Sequence, residues 1–140
     1  MKFWDASGLI ALMVEEPHSP SMREIARKDA VAAWWGSPLE CLSAFARLRR
    51  EGVLSYADED DIRHMISLLQ NTWTEIEPTE NVRETAERLL LAHPLRATDV
   101  LQLAAALVWA GRHPKGQHFV SLDNRLRSAA RSEGFSVLPR

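Results

Sequence analysis

From Asp99 to Trp109 the chain is apolar on nearly every face, with Gln102 the one polar interruption among Val100, Leu101 and residues 103–109. A helix that is hydrophobic all round must be buried all round, and this one falls far short of the ~20 residues a bilayer span needs. Residues 96–109 therefore predict the central helix of a core, beginning near Asp99 and closed by Gly111 and Pro114. Narrower apolar stripes mark the other helices. Leu9, Ile10, Met13 and Val14 predict one over 6–14, broken by Pro17, His18 and Pro20, with a short polar helix following over 21–28. Leu39, Leu42, Ala46 and Leu48 predict a helix over 38–51 that opens on Pro38 with Ser37 as its cap. Ile62, Met65, Ile66, Leu68 and Leu69 predict another over 58–73, and a further one covers 80–92, ended by His93-Pro94. The last starts from Asp123, runs to about Glu133 and stops at Gly134. Between these helices, short segments predict strands over 2–4, 29–35, 74–77, 118–122 and 135–138, the second of them uncharged after Asp29.

Strands that alternate with helices, over connections too long for hairpins, predict an α/β fold: a three-layer α/β/α arrangement with a mainly parallel central sheet flanked by helices. No repeat, linker or low-complexity segment divides the chain, so residues 1–140 are expected to form one domain. The net charge of −2 argues against a general polyanion binder and leaves a nucleic-acid partner to a local patch. Cys41 is the only cysteine, which excludes a disulfide framework and a thiolate metal site. The five histidines (18, 64, 93, 113 and 118) are scattered, none at ligand spacing from another. The opening MKFWDASGLIAL reaches an acid at position 5 and has no small-residue cleavage site, so the chain is expected to be cytoplasmic, with no signal peptide and no membrane segment.

Four acids occupy places that such a sheet can bring together, because ligands bind outside the carboxyl ends of its strands. Asp5 follows the first strand and Asp123 follows HFVSL, while Glu40 and Asp99 stand in the first turns of two helices. Each has an ordinary explanation alone. Asp5 and Asp123 suit helix caps, Ser37 to Glu40 reads as a capping box, and Asp99 complements a helix dipole. As a set they repel one another unless something positive joins them. Oxygen-only donors suit Mg²⁺ or Mn²⁺ rather than zinc.

These acids lie in four motifs. Asp5-Ala-Ser7-Gly-Leu-Ile-Ala-Leu resembles the opening motif of PIN-domain proteins, Glu40-Cys-Leu-Ser-Ala44 their second, Leu95-Arg-Ala-Thr-Asp99-Val-Leu-Gln-Leu the third, and Phe119-Val-Ser-Leu-Asp123-Asn-Arg-Leu the fourth. The resemblance runs in order over essentially the whole chain and is closest to VapC-like ribonuclease toxins of type II toxin–antitoxin systems. It implies a PIN-like fold and a Mg²⁺- or Mn²⁺-dependent endoribonuclease. Asp5, Glu40, Asp99 and Asp123 would be both catalytic and metal-holding, and Ser7 would orient a carboxylate or a bound water. Hydrolysis by metal-activated water needs no catalytic histidine or nucleophilic serine. The resemblance also implies an RNA substrate, a homodimer and a cognate antitoxin over the cleft, with contacts expected on the stripe of 58–73 and the exposed parts of 6–28.

Arg47, Arg49, Arg50, Arg125 and Arg127, with Arg96 beside an acid, are candidates for phosphate contacts, although a solvated helix face is the simpler reading of each. Trp34 and Trp35 read as packing or interface residues before they read as a stacking platform. A haloacid-type phosphatase would need a second Asp at position 7, where this chain has Ser. Two alternatives stay open: a non-catalytic PIN-like binding module, which needs no metal, and a PIN nuclease in housekeeping RNA processing.

Overall fold

The computed structural model describes residues 1–140. In chain order the elements are β1 (Lys2–Trp4), α1 (Ala6–Met13), α2 (Ser19–Lys28), β2 (Val31–Trp34), α3 (Ser37–Arg50), α4 (Tyr56–Gln70), β3 (Thr74–Ile76), α5 (Glu80–Ala92), α6 (Ala97–Trp109), β4 (His118–Val120), α7 (Asn124–Glu133) and β5 (Ser136–Leu138). The five strands form one sheet in the order β3-β2-β1-β4-β5, and every pair is parallel. Strand order reverses at β1: β2 and β3 extend to one side, β4 and β5 to the other. Such a switch point opens a crevice at the carboxyl ends of the central strands.

Both faces of the sheet are covered, so its central strands are apolar on both. Phe3, Ala32 and Phe119 turn to a core formed with α5, α6 and α7. Trp4, Ala33 and Val120, in matching register, turn to a second core formed with α1, α2, α3 and α4. The fold is therefore the expected three-layer α/β/α arrangement, with a sheet that is wholly rather than mainly parallel. At the middle of the first core, α6 buries Val100 and residues 102–107. Leu103, Ala104, Ala105 and Ala106 are inaccessible to solvent, and the small alanines let neighbouring backbones approach closely. No helix is long and apolar enough to cross a membrane.

Several boundaries move for local reasons. α2 starts at Ser19 because Pro20, expected to break a helix, sits in its first turn, where a missing N–H leaves no bond unmade. α4 starts at Tyr56, opened by a reciprocal capping box between Ser55 and Asp58, and stops three residues short of Trp73. Trp73 instead joins the second core. Asp29 lies outside β2, where its carboxylate pairs with the terminal amine and with Lys2 Nζ at 3.0 Å, tying β1 to the chain entering β2. Gly134 ends α7 in the left-handed region at φ 108°, where an L side chain is strained and a Cβ would lie 3.2 Å from Pro114.

Leu103→Ala is expected to destabilise the protein by about 2–5 kcal/mol, since it empties a site with no route to solvent. Leu91→Ala, at a position 93 % exposed, should change stability by less than about 0.5 kcal/mol. Urea unfolding of the two variants measures the contrast, and equal small losses would place α6 outside the core.

Candidate active site

A cavity of about 520 Å³ opens at the switch point, and Asp5, Glu40, Asp99 and Asp123 all line it. Asp5 leaves the end of β1 and caps α1. Its Oδ1 accepts hydrogen bonds from Gly8 N at 2.9 Å and Ser7 Oγ at 2.7 Å, and its Oδ2 accepts from Ser121 Oγ at 2.7 Å. The side chain is buried, and desolvation pushes its carboxyl up to about 6 against the opposing pull of those hydrogen bonds. Ser7 also accepts from Leu122 N at 2.8 Å, and Ser121 from Asp123 N at 3.1 Å. The loop after β4 is thereby stitched to the end of β1. Asp123 caps α7 through Leu126 N at 3.0 Å.

Glu40 and Asp99 come from helices on opposite sides of the sheet, and Gln102 joins their supports. One turn beyond Asp99 on α6, its Nε2 donates to Glu40 Oε1 at 3.0 Å and to Ser37 Oγ at 3.1 Å. The capping box expected at Ser37 to Glu40 does not form. The N-cap of α3 is Gly36 with no side-chain cap, and the Ser37 hydroxyl turns inward to Gln102. Gly36 is required there because a Cβ would meet the Trp34 indole nitrogen at 2.5 Å. Burial, with Asp5 and Asp99 nearby, raises the Glu40 carboxyl to about 7.

The donor set around the cavity is oxygen only, without histidine or thiol. Hydrogen bonds from protein groups occupy both oxygens of Asp5. Glu40, Asp99 and Asp123 each use only one, toward Gln102, Arg96 N and Leu126 N respectively. Three carboxylate oxygens without a protein donor, beside a buried fourth acid, form a set chemically suited to a hard divalent cation. No three of these side chains as placed surround a common point at ligand distance.

The arginines divide sharply. Arg47 and Arg96 line the acid cavity. Arg125 lines an adjoining polar cavity together with Arg96, Asp99 and Asp123. Arg50 is exposed on α3 and lines neither. Arg49 is held by Glu59 and lies 4.7 Å above the Tyr56 ring. Arg127 donates to the carbonyl oxygens of Ser121, Leu138 and Pro139. Trp34 is buried, and the exposed Trp35 stands edge-on to it, away from the cavity. Gln102 and Ser121 support the acids without being among the residues that the four motifs single out. Each is a lone polar residue inside an apolar run, and that was the available signal.

Because the folded chain holds the Asp5 proton more tightly than an unfolded carboxyl does, ionising Asp5 lowers stability as pH rises through about 6. Without added metal, Asp5→Asn is expected to raise stability by on the order of 2 kcal/mol near pH 8. That gain should vanish near pH 4, where the carboxyl is protonated in the fold. Urea midpoints at the two pH values measure it, and a gain of equal size at both would exclude ionisation as its origin.

No protein-family model matches the sequence, and no curated protein is detectably similar to it. Solved structures do share its fold. VapC20 of Mycobacterium tuberculosis, described as a sarcin–ricin loop cleaving toxin, superposes with a TM-score of 0.66 at 15% identity, over 92% of this chain and 95% of that one. FitAcB from Neisseria gonorrhoeae does so with a TM-score of 0.66 at 13% identity, over 99% of this chain and 97% of that one. Identities this low speak to architecture alone, and the architecture is the three-layer PIN-like fold that the four motifs imply.

Proposed function

We propose that this chain works as a single PIN-like domain with divalent-metal-dependent endoribonuclease activity, the toxin of a toxin–antitoxin pair. The observation that carries the reading is the convergence of Asp5, Glu40, Asp99 and Asp123 on one cavity, three of them with an oxygen that no protein group occupies. The fold likeness to a toxin that cleaves the sarcin–ricin loop supports RNA as the substrate.

The four carboxylates would hold Mg²⁺ or Mn²⁺. When bound, the ion would supply an acidified water and offset charge on the leaving oxygen. The protein does the positioning. Ser7, Gly8 and Ser121 lock the Asp5 carboxylate in one orientation. Gln102 fixes one oxygen of Glu40 and leaves the other without a protein donor. Arg47 and Arg96 offer guanidinium groups at the acid cavity to RNA phosphates, and Arg125 extends that contact into the adjoining cavity. Arg50 drops out of this assignment. A cognate antitoxin and a second copy of the chain are the proposed protein partners. The exposed Met65 and Leu68, one turn apart on α4, provide an apolar surface for such contacts.

One observation favours a second reading, a non-catalytic PIN-like module: no three acids surround a common point. The like-charge repulsion among metal-free carboxylates accounts for that spacing equally well. Cleavage of a mixed RNA substrate separates the readings. The nuclease should cut with Mg²⁺ or Mn²⁺, stop with EDTA, and lose about 100-fold or more of its rate on Asp99→Asn. Absence of both cutting and Mn²⁺ binding would favour the module.

A further inference from the structure

Beside the acid cavity lies a second groove of about 420 Å³ that shares Ser7, Ile10, Ala44 and Arg47 with it. Its remaining walls are of another kind. Val14, Leu48, Val53 and Leu122 make it mainly apolar, and Glu15 and Glu16 close the end beyond α1. The eight residues of α1 put that end about 12 Å from Asp5, at 1.5 Å per residue.

The two acids there differ. Glu15 is engaged by Arg23 at 3.0 Å. The half-buried Glu16 carboxylate accepts no hydrogen bond from the protein, and burial raises its pKa. Its backbone is nevertheless well held. Glu16 N donates to Ser19 Oγ at 2.8 Å, and that hydroxyl, on a residue with no solvent exposure, donates to Val14 O at 3.2 Å. A partly desolvated carboxylate on a well-held backbone, without a donor of its own, asks for one from a ligand.

We propose that this groove is a base-binding subsite, which receives one unpaired nucleobase next to the cut and turns its Watson–Crick edge to Glu16, selecting guanine. The inference rests on the ribonuclease reading of the adjoining acids. Apolar walls take the flat faces of a base, and sequence-specific RNA recognition targets unstacked bases read on their edges. Arg47 stands on the wall common to both cavities, where a guanidinium meets the phosphate linking that base to the scissile position. Its nearest carboxylate partner, Glu51, is 3.9 Å away on an exposed face, so it remains available. Guanine presents two adjacent donors, N1–H and the N2 amine, to the two oxygens of a carboxylate. Adenine and cytosine present one donor beside an acceptor, and uracil one donor between two carbonyls. An acceptor-only side chain therefore favours guanine over the other three.

The test measures binding of labelled uridine decamers, carrying a single central G, A, C or U, to full-length protein in the Asp99→Asn background, where the RNA stays intact. The G-containing strand is expected to bind about tenfold tighter than the others, and adding Glu16→Gln should reduce that preference to about twofold or less. Glu15→Gln, which removes a carboxylate already engaged by Arg23, should keep it. Binding blind to the base, or a guanine preference that survives Glu16→Gln, overturns the subsite. If wild-type protein still cuts mixed RNA with Mg²⁺, that result leaves the nuclease standing without a base-reading groove. If no RNA is bound or cut, both readings fall together.

Discussion

A carboxylate buried at the end of the central strand sets the terms for the rest of the molecule. Asp5 is 2 % exposed, and an ion taken out of water must recover its solvation from fixed donors. Those donors come from two places far apart in the chain: the first turn of α1 and the loop after β4. Their arrival depends on β1 lying between β2 and β4, with Asp5 N donating to Val120 O at 3.0 Å. Three hydrogen bonds reduce the desolvation penalty without cancelling it, and the carboxyl titrates near 6.

The second structural support is the burial of α6. A helix with nearly every face in the core cannot rotate or slide without exposing apolar surface. Asp99 in its first turn and Gln102 one turn later are consequently held rigidly at the cavity. The bonds from Gln102 to Ser37 and Glu40 then reach across the sheet to α3, over 65 and 62 residues of chain. Rigidity generated by apolar packing is in this way passed to the two acids that lack strong local anchors.

Charge is distributed with the same economy. Arginines close in sequence have unrelated roles, and their partners decide which. Arg49 is neutralised by Glu59, and Arg127 binds backbone carbonyls. Arg47 and Arg96 face the acid cavity and Arg125 the one adjoining it. A chain of net charge −2 can present such a patch because Arg96 and Arg125 form no ion pair and Arg47 only a loose one, with Glu51 at 3.9 Å. Beyond the cleft, the likeness to solved structures fixes the architecture and leaves the chemistry to experiment.

By itself, the sequence determined the alternation of helices and strands, the burial of the helix after Asp99, and the positions of the four acids at strand ends and helix starts. These are local properties: side-chain period, capping and turn chemistry act over a few residues, so a single sequence carries them. The shifted starts of α2 and α4 were local as well: Pro20 opens a helix instead of interrupting one, and Ser55 caps α4 ahead of Asp58. Tertiary structure alone decided which oxygens of those acids stay unoccupied, that Ser37 abandons its cap for Gln102, that Ser121 holds Asp5, and which arginines face the cleft. Each of those outcomes is a pairing of polar groups distant in the chain. A hydrogen bond between residues 116 positions apart leaves no periodic trace, because its geometry exists only after the sheet has placed β1 beside β4.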